Sequence, residues 1–228
     1  MTEKIAALVP MRHNSQRVSG KNYRDFAGRP LYHWVIRSLL SCNDITEVVI
    51  DTDSDTIMQD AKLNFPEVTL LKRPSHLTAG EIPMNDVLMN SLNQINADFY
   101  LQTHSTNPLL SSDTVQMAVN TFKKNHPVYD SLFSVTRRQT RYWDSLARAI
   151  NHNPNILLRT QDLPPTFEEN SCIYIFSKEI LATKHNRIGN RPYLFEMEEE
   201  EAQDIDVELD FKVAEFLFRQ KYSESIES

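Results

Sequence analysis

The sequence predicts an α/β fold with a mostly parallel sheet flanked by helices, and three observations carry that prediction. Short apolar runs rich in Val, Ile, Leu and Phe alternate with longer amphipathic stretches, the pattern of parallel strands joined by crossover helices. The chain has 228 residues, enough for one extended α/β domain with a sizeable core. Its 40% hydrophobic and 24% charged fractions lie near globular averages.

IAALVP reads as the first strand. Pro30 suits the first turn of a helix whose Leu31, Trp34, Val35 and Leu39 recur at helical spacing. TEVVIDT is a second strand, followed by a helix over DSDTIMQDAKLNF that Asp53 or Ser54 caps. VTLLKR is a third strand, MNDVLMNSLNQI a helix, DFYLQT a fourth strand and SSDTVQMAVNTFKKN a helix. Beyond them SLFSVT and CIYIFS read as strands. The stretch of about 128–170 carries prolines and no clean period, so it is expected to be an excursion that lines a pocket or pairs with a second subunit. VELDFKVAEFLFRQ closes the chain as an amphipathic helix with acidic residues in its first turn. Residues 1–228 read as one domain, with no internal repeat or linker.

A net charge of −7 argues against a nucleic-acid polymer as partner, since phosphate-backbone binding depends on clustered Lys and Arg. No apolar run approaches a membrane span, and MTEKIAALVP has none of the features of a secretory leader. The expectation is a cytoplasmic protein without a membrane partner. Cys42 and Cys172 stand alone, which disfavours a disulfide framework or a Cys-based zinc site. The acidic run EMEEEE is expected to be solvated.

The most informative segment is VPMRHNSQRVSGKN, residues 9–22, between the first strand and a helix. Ligands of parallel α/β sheets dock at the carboxyl ends of strands, and this loop is equipped for a polyanion. Arg12 and Lys21 supply charge, Asn14, Ser15 and Asn22 supply neutral donors, and Gly20 permits close backbone approach. With only Gly20, Gly28, Gly80 and Gly189 present, neither glycine-rich phosphate fingerprint exists. That disfavours an NAD-linked dehydrogenase or a P-loop kinase.

In AQDIDVELDF, Asp204 and Asp206 lie two residues apart. Extended backbone places both on one face, and such an oxygen-only pair suits Mg²⁺, which also takes phosphate oxygens as ligands. Cations with a metal-holding pair are what nucleotidyl transfer needs, because attack on the α-phosphate builds charge on its oxygens. Asp51 and Asp53 end the second strand, where ribose or metal contact competes with helix capping. Arg73 precedes Pro74 and is placed near a base or in a surface salt bridge. LQTHSTNP, residues 101–108, reads as a pocket wall in which His104 is the one readily titratable group.

VPMRHNSQRVSGKN, VVIDTDSD, KRPSHL, LQTHSTNPLL, ENSCIYIF and DIDVELD, in that order and spanning almost the whole chain, resemble the acylneuraminate cytidylyltransferases, the CMP-sialic acid synthetase family. The resemblance implies a Rossmann-like nucleotidyltransferase fold, Mg²⁺-dependent use of CTP and a homodimer whose excursion reaches toward the partner's site. It places Arg12 and Lys21 on the triphosphate, with Asp206 beside them in catalysis, and Asn14, Ser15 and Asn22 on the nucleotide. It places Arg73 near the cytosine, and Asp204 and Asp206 on the metal. The acceptor contacts are placed at Gln102, His104, Ser105 and Asn170. The implied reaction is in-line attack by a hydroxyl of an acidic sugar on the α-phosphate, releasing pyrophosphate. Two departures bear on the acceptor. QTHSTNPLL stands where sialic-acid enzymes often read Gln-Pro-Thr-Ser-Pro-Leu-Arg, and Glu168-Glu169-Asn170-Ser171 where they often read Arg-Pro-Asn-Gly. A Glu in place of Arg opposes an anionic acceptor, which opens the acceptor to other nonulosonic acids, an eight-carbon keto acid or a phosphonate. A nucleotide-binding protein that has kept the fold without the chemistry is the alternative.

Overall fold

The computed structural model describes residues 3–15 and 17–226. Strand β1, Ile5–Met11, is buried at every position, as a strand covered on both faces must be. A turn with Gly28 at φ +88° joins the two-residue strands β2, Asp25–Phe26, and β3, Arg29–Pro30. Helix α1 then spans Tyr32–Leu40 and buries Tyr32, Val35, Ile36 and Leu39, one stripe at helical spacing. Pro30 is therefore not in the helix: it pairs with Asp25 across β2 and β3, on an edge where its missing N–H costs nothing.

Strand β4, Glu47–Thr52, leads to α2, Asp55–Asn64. Ser54, not Asp53, caps α2, its Oγ accepting from the Ile57 N–H at 3.3 Å. Next come β5, Thr69–Lys72, α3, Met84–Leu92, and β6, Phe99–Gln102. Helix α4, Ser112–Asn125, follows, capped by Ser111. Strand β7, Ser131–Arg138, pairs antiparallel with the long β8, Thr166–Phe176. Helix α5, Lys178–Lys184, strand β9, Pro192–Glu196, and helix α6, Glu208–Ile226, complete the chain.

The seven-stranded sheet runs β5-β4-β1-β6-β8-β7-β9. Its first four strands are mutually parallel, and β8 turns antiparallel to both β6 and β7. Alternate residues of β1 serve opposite layers. Ile5, Ala7, Val9 and Met11 pack with α1 and α4, whereas Ala6 and Leu8 pack with Leu88 and Leu92 of α3 and Leu181 of α5. A third cluster joins Phe26 and Leu31 to Ile205 and to Phe211, Ala214 and Phe218 of α6, so α6 closes over the loop that follows β1. The β7–β8 register slips between Phe133 and Val135, and Ser171 in β8 is left-handed at φ +61°. That conformation favours glycine, the residue the resembling family carries there. No helix among the described residues is long and apolar enough to cross a membrane.

Candidate active site

The parallel strands direct their carboxyl ends to one edge of the sheet, and the loop leaving β1 crosses that edge. Gly20 sits at φ +61°, and a Cβ there would meet the Tyr23 ring at 2.8 Å, so conformation and space both call for glycine. The turn sends Lys21 toward the far end of the sequence, where its Nζ donates to the Ile205 carbonyl at 2.5 Å. Burial pushes the Lys21 pKa down, against the pull of the Asp204 and Asp206 carboxylates. Asn22 is buried and fastens the loop in two directions. Its Nδ2 donates to the Arg12 carbonyl at 2.8 Å, and its Oδ1 accepts from Ser105 Oγ, just past β6, at 2.8 Å. Arg12 Nη1 donates to the Gly80 carbonyl at 3.2 Å, and Ser15 Oγ accepts from the Val18 N–H at 3.4 Å.

The acidic pair arrives from the segment between β9 and α6. Ile205 is fully buried in the third cluster, and its N–H donates to the Thr106 carbonyl at 3.0 Å. Alternation turns Asp204 and Asp206 away from that anchor and into the same cavity. Asp204 Oδ1 is buried and has no hydrogen-bond partner among the described residues. Asp206 Oδ1 accepts from Arg17 Nη2 at 2.7 Å in a half-exposed pair, which a ligand can readily exchange. Asp210 secures the start of α6 by accepting from the N–H groups of Asp206 and Val207 at 2.9 and 2.8 Å. Glu201 departs from the solvated character expected of its acidic run. It is buried, and its carboxylate accepts from the Ser111 N–H and hydroxyl at 3.2 and 3.1 Å, which ties the approach to the acidic pair to the α4 cap.

These groups surround a cavity of about 400 Å³. Arg12, Asn14, Ser15, Lys21 and Asn22 line it from the β1 loop, Arg73 from the end of β5, His104 and Ser105 from the end of β6, and Asp204 and Asp206 from the opposite side. Arg17, Gly80, Met84 and Thr106 also line it without having been assigned to a site from sequence. A larger cavity, about 870 Å³, opens at the amino-terminal edge of the sheet beside Lys4, Asp98 and Ser177. It contains none of the candidate residues.

Arg73 is not in a surface salt bridge. It and Asp51 are almost wholly enclosed, with Nε donating to Asp51 Oδ1 at 2.6 Å and Nη2 to the Asp51 carbonyl at 3.1 Å. Ser91 Oγ donates to the other Asp51 oxygen at 2.8 Å. The paired positions end the adjacent strands β4 and β5, so the ion pair braces the cavity wall. Asp53 accepts from the His13 N–H at 2.7 Å. His104 is half-buried, its enclosed Nε2 without a partner among the described residues, and desolvation lowers its pKa despite the nearby Asp204 carboxylate.

Two of the sequence-predicted acceptor contacts are not on the cavity wall. Asn170 accepts from Ser134 Oγ at 2.5 Å and donates to Thr136 Oγ1 at 3.1 Å, so its amide is spent bridging β8 to β7 at the register slip. Gln102 is fully buried, donating to the Thr103 carbonyl at 3.1 Å and accepting from Arg187 Nη1 at 2.5 Å. Arg187, flanked by ordinary turn residues, carried no signal in the sequence.

Among the described residues no three metal-binding side chains cluster. The donor set is instead a carboxylate pair, one oxygen of which is buried and unpartnered. Two hard oxygen ligands beside a cation-lined cavity fit Mg²⁺, which completes its shell with phosphate and water oxygens. The arrangement can hold a polyphosphate between cations and a carboxylate-bound divalent ion.

The sequence matches the family described as cytidylyltransferase over residues 6–225. It is 29% identical over 229 residues to post-translational flagellin modification protein B of Campylobacter coli, covering 96% of each chain. It is 30% identical over 218 residues to N-acylneuraminate cytidylyltransferase A of Danio rerio, covering 92% of this chain and 50% of that protein. The structure of a CMP:2-keto-3-deoxy-manno-octonic acid synthetase complexed with CTP superimposes with a TM-score of 0.72 at 14% identity, covering 96% of this chain and 99% of the other. That likeness is one of fold: the parallel α/β sheet that the alternation of strands and helices predicts, in the nucleotidyltransferase form that the resemblance implies. Matched from its first strand to its last helix, the chain belongs to the cytidylyltransferase family, whose members similar to it include an N-acylneuraminate cytidylyltransferase.

Proposed function

We propose that this chain transfers CMP from CTP to a hydroxyl of an acidic sugar, nonulosonic or of the eight-carbon keto type, and releases pyrophosphate with Mg²⁺ held by Asp204 and Asp206. The observation that carries the reading is the meeting of Lys21 with Asp204 and Asp206 around one cavity, although they come from opposite ends of the sequence. Arg12 and Lys21 bind the triphosphate oxygens, with Asn14, Ser15 and Asn22 supporting the nucleotide. Lys21 is held in place by its bond to the Ile205 carbonyl, so its charge faces the reacting phosphates without reorganisation, which is where fixed cations contribute most to rate. When bound, Mg²⁺ neutralises the charge that builds on the phosphate oxygens during in-line displacement. Arg17, in a half-exposed pair with Asp206, would yield that carboxylate to a bound cation. Arg73 and Asp51 keep the wall on the β5 side rigid, and Ser105 keeps Asn22 aligned.

The names of the relatives support an acidic sugar as acceptor, and the half-buried Arg187 beside Gln102 supports an anionic one. The segment between β7 and β8 supports a homodimer. It leaves Leu146 at 71% and Leu157 at 92% of full exposure, beside the half-exposed Trp143 and Ile156, which is more apolar surface than a lone subunit of this size usually concentrates in one excursion.

The test is pyrophosphate release from CTP with Mg²⁺ across a panel of N-acetylneuraminate, other keto sugar acids and phosphonates. Wild type is expected to release pyrophosphate with a sugar acid, and Asp206→Asn to release none while keeping its circular dichroism. Turnover with a phosphonate alone would move the acceptor to that class. Activity with ATP or UTP and none with CTP would overturn the cytidine reading.

A further inference from the structure

Arg187 lies in the turn after α5, and three features of its surroundings single it out. Its Nη1 donates to Gln102 Oε1 at 2.5 Å. Its guanidinium carbon stands 3.8 Å from the centre of the Tyr174 ring, a stacked cation–π arrangement that fixes the plane of the fork. Among the described residues its buried Nε has no hydrogen-bond partner and no carboxylate lies within ion-pair distance of it. A permanent cation mostly removed from water, with the Nε side of its fork unmatched, is costly unless an anion completes it. Burial lowers the affinity of the guanidinium for its proton, with Tyr174 and Glu169 only partly offsetting this.

Position along the sheet then says which anion. Gln102 and Tyr174 are register partners on β6 and β8, and the charge of Arg187 reaches His104, which lines the nucleotide cavity. Reading across the sheet, Arg73 marks the β5 side, Lys21 and Asp204 the centre, and Arg187 the β8 side. The triphosphate has its cations at the centre, and the charge of Arg73 is already matched by Asp51. What remains for Arg187 is the second substrate. The geometry of its unpartnered fork edge matches the paired oxygens of a carboxylate. Of the two Glu residues that stand where the resembling enzymes often carry Arg-Pro, Glu168 is paired with Arg138, and Glu169, which accepts from the Tyr174 hydroxyl, offsets only part of the cost of burying Arg187.

We propose that Arg187, positioned by Gln102 and Tyr174, binds the carboxylate of the acceptor and sets the requirement for an acid. This rests on the acidic-acceptor reading above. The test is calorimetric titration of the Mg²⁺·CTP-saturated protein with N-acetylneuraminate, with 3-deoxy-manno-octulosonate and with the methyl ester of each, for wild type, Arg187→Gln and Arg187→Lys, alongside pyrophosphate release. At least one acid is expected to bind wild type about 10- to 100-fold tighter than its ester, the range of charge-assisted hydrogen bonds. Arg187→Gln should bring that ratio within about threefold while the affinity for CTP stays unchanged, and Arg187→Lys should restore part of it. An acid that binds wild type no tighter than its ester, an acid preference that survives in Arg187→Gln, or an equal loss of CTP affinity would each overturn the assignment. Acid-selective binding by wild type without pyrophosphate release would leave the assignment standing and remove the proposed transfer reaction instead.

Discussion

Arg73→Met should unfold the protein far more easily than its place on a cavity wall implies. The side chain of Arg73 is 1% exposed and that of Asp51 3% exposed. Deleting the guanidinium takes away the bonds at 2.6 and 3.1 Å and leaves Asp51 enclosed with the Ser91 hydroxyl alone. Breaking a buried pair from one side costs about 3–5 kcal/mol, whereas replacing both members with apolar groups is close to neutral. In a domain of this size each kcal/mol moves Tm by about 2–4 °C, so Arg73→Met should melt about 6–20 °C below wild type. Arg73→Met combined with Asp51→Leu should recover most of that loss, giving a coupling energy of about 2 kcal/mol or more in a double-mutant cycle. Urea denaturation of the four proteins at neutral pH supplies the numbers. A loss below about 1 kcal/mol in Arg73→Met, or a double variant as unstable as the sum of the singles, would refute the brace.

Lys21→Met should lower kcat for pyrophosphate release about 100- to 1,000-fold, the effect of removing one preorganised cation, with Tm nearly unchanged; a loss under about threefold in steady-state assays would count against its role. His33 is kept neutral by burial, which outweighs the Asp60 carboxylate 2.6 Å away, and Arg37 and Arg29 act in the same direction as burial. The unfolded chain takes up that proton around the ordinary value of 6.5 and the folded one only at lower pH. Stability is therefore full above that value and falls as pH drops through it, so between pH 6.5 and 5.5 wild type should lose up to about 1 kcal/mol more than His33→Gln in urea titrations. Leu157→Asp should convert a dimer to a monomer in light scattering after gel filtration; a wild type already monomeric at tens of micromolar would remove the assembly role of the β7–β8 excursion.

The parallel half of the fold was legible because β1, β4 and β6 are buried on both sides and so stand out as unbroken apolar runs. The hairpin of β2 and β3 was not, since two-residue strands have no period to detect. Strand β9 escaped for a related reason: it is an edge strand whose Phe195 alone is buried, so no alternation marks it. Asp204 and Asp206 were legible because alternation around Ile205 is a local property, as were the cations of the β1 loop, which sit where strand ends place ligands. The partnerships of Arg73 and Arg187 were not. An arginine's destination depends on which strands become neighbours, and Gln102 and Arg187 meet across 85 positions of sequence.

Helix α6 and the segment before it supply the last side of the cavity through bonds that join the two termini: Arg17 to Asp206, Lys21 to Ile205 and Arg24 to Glu208. The sheet by itself therefore leaves the cavity open on one side, and only the docking of this segment on the β1 loop brings Asp204 and Asp206 to it. Because a small satellite cluster and not the central sheet holds that segment, mild denaturant is expected to release it first, with loss of turnover before most secondary structure melts.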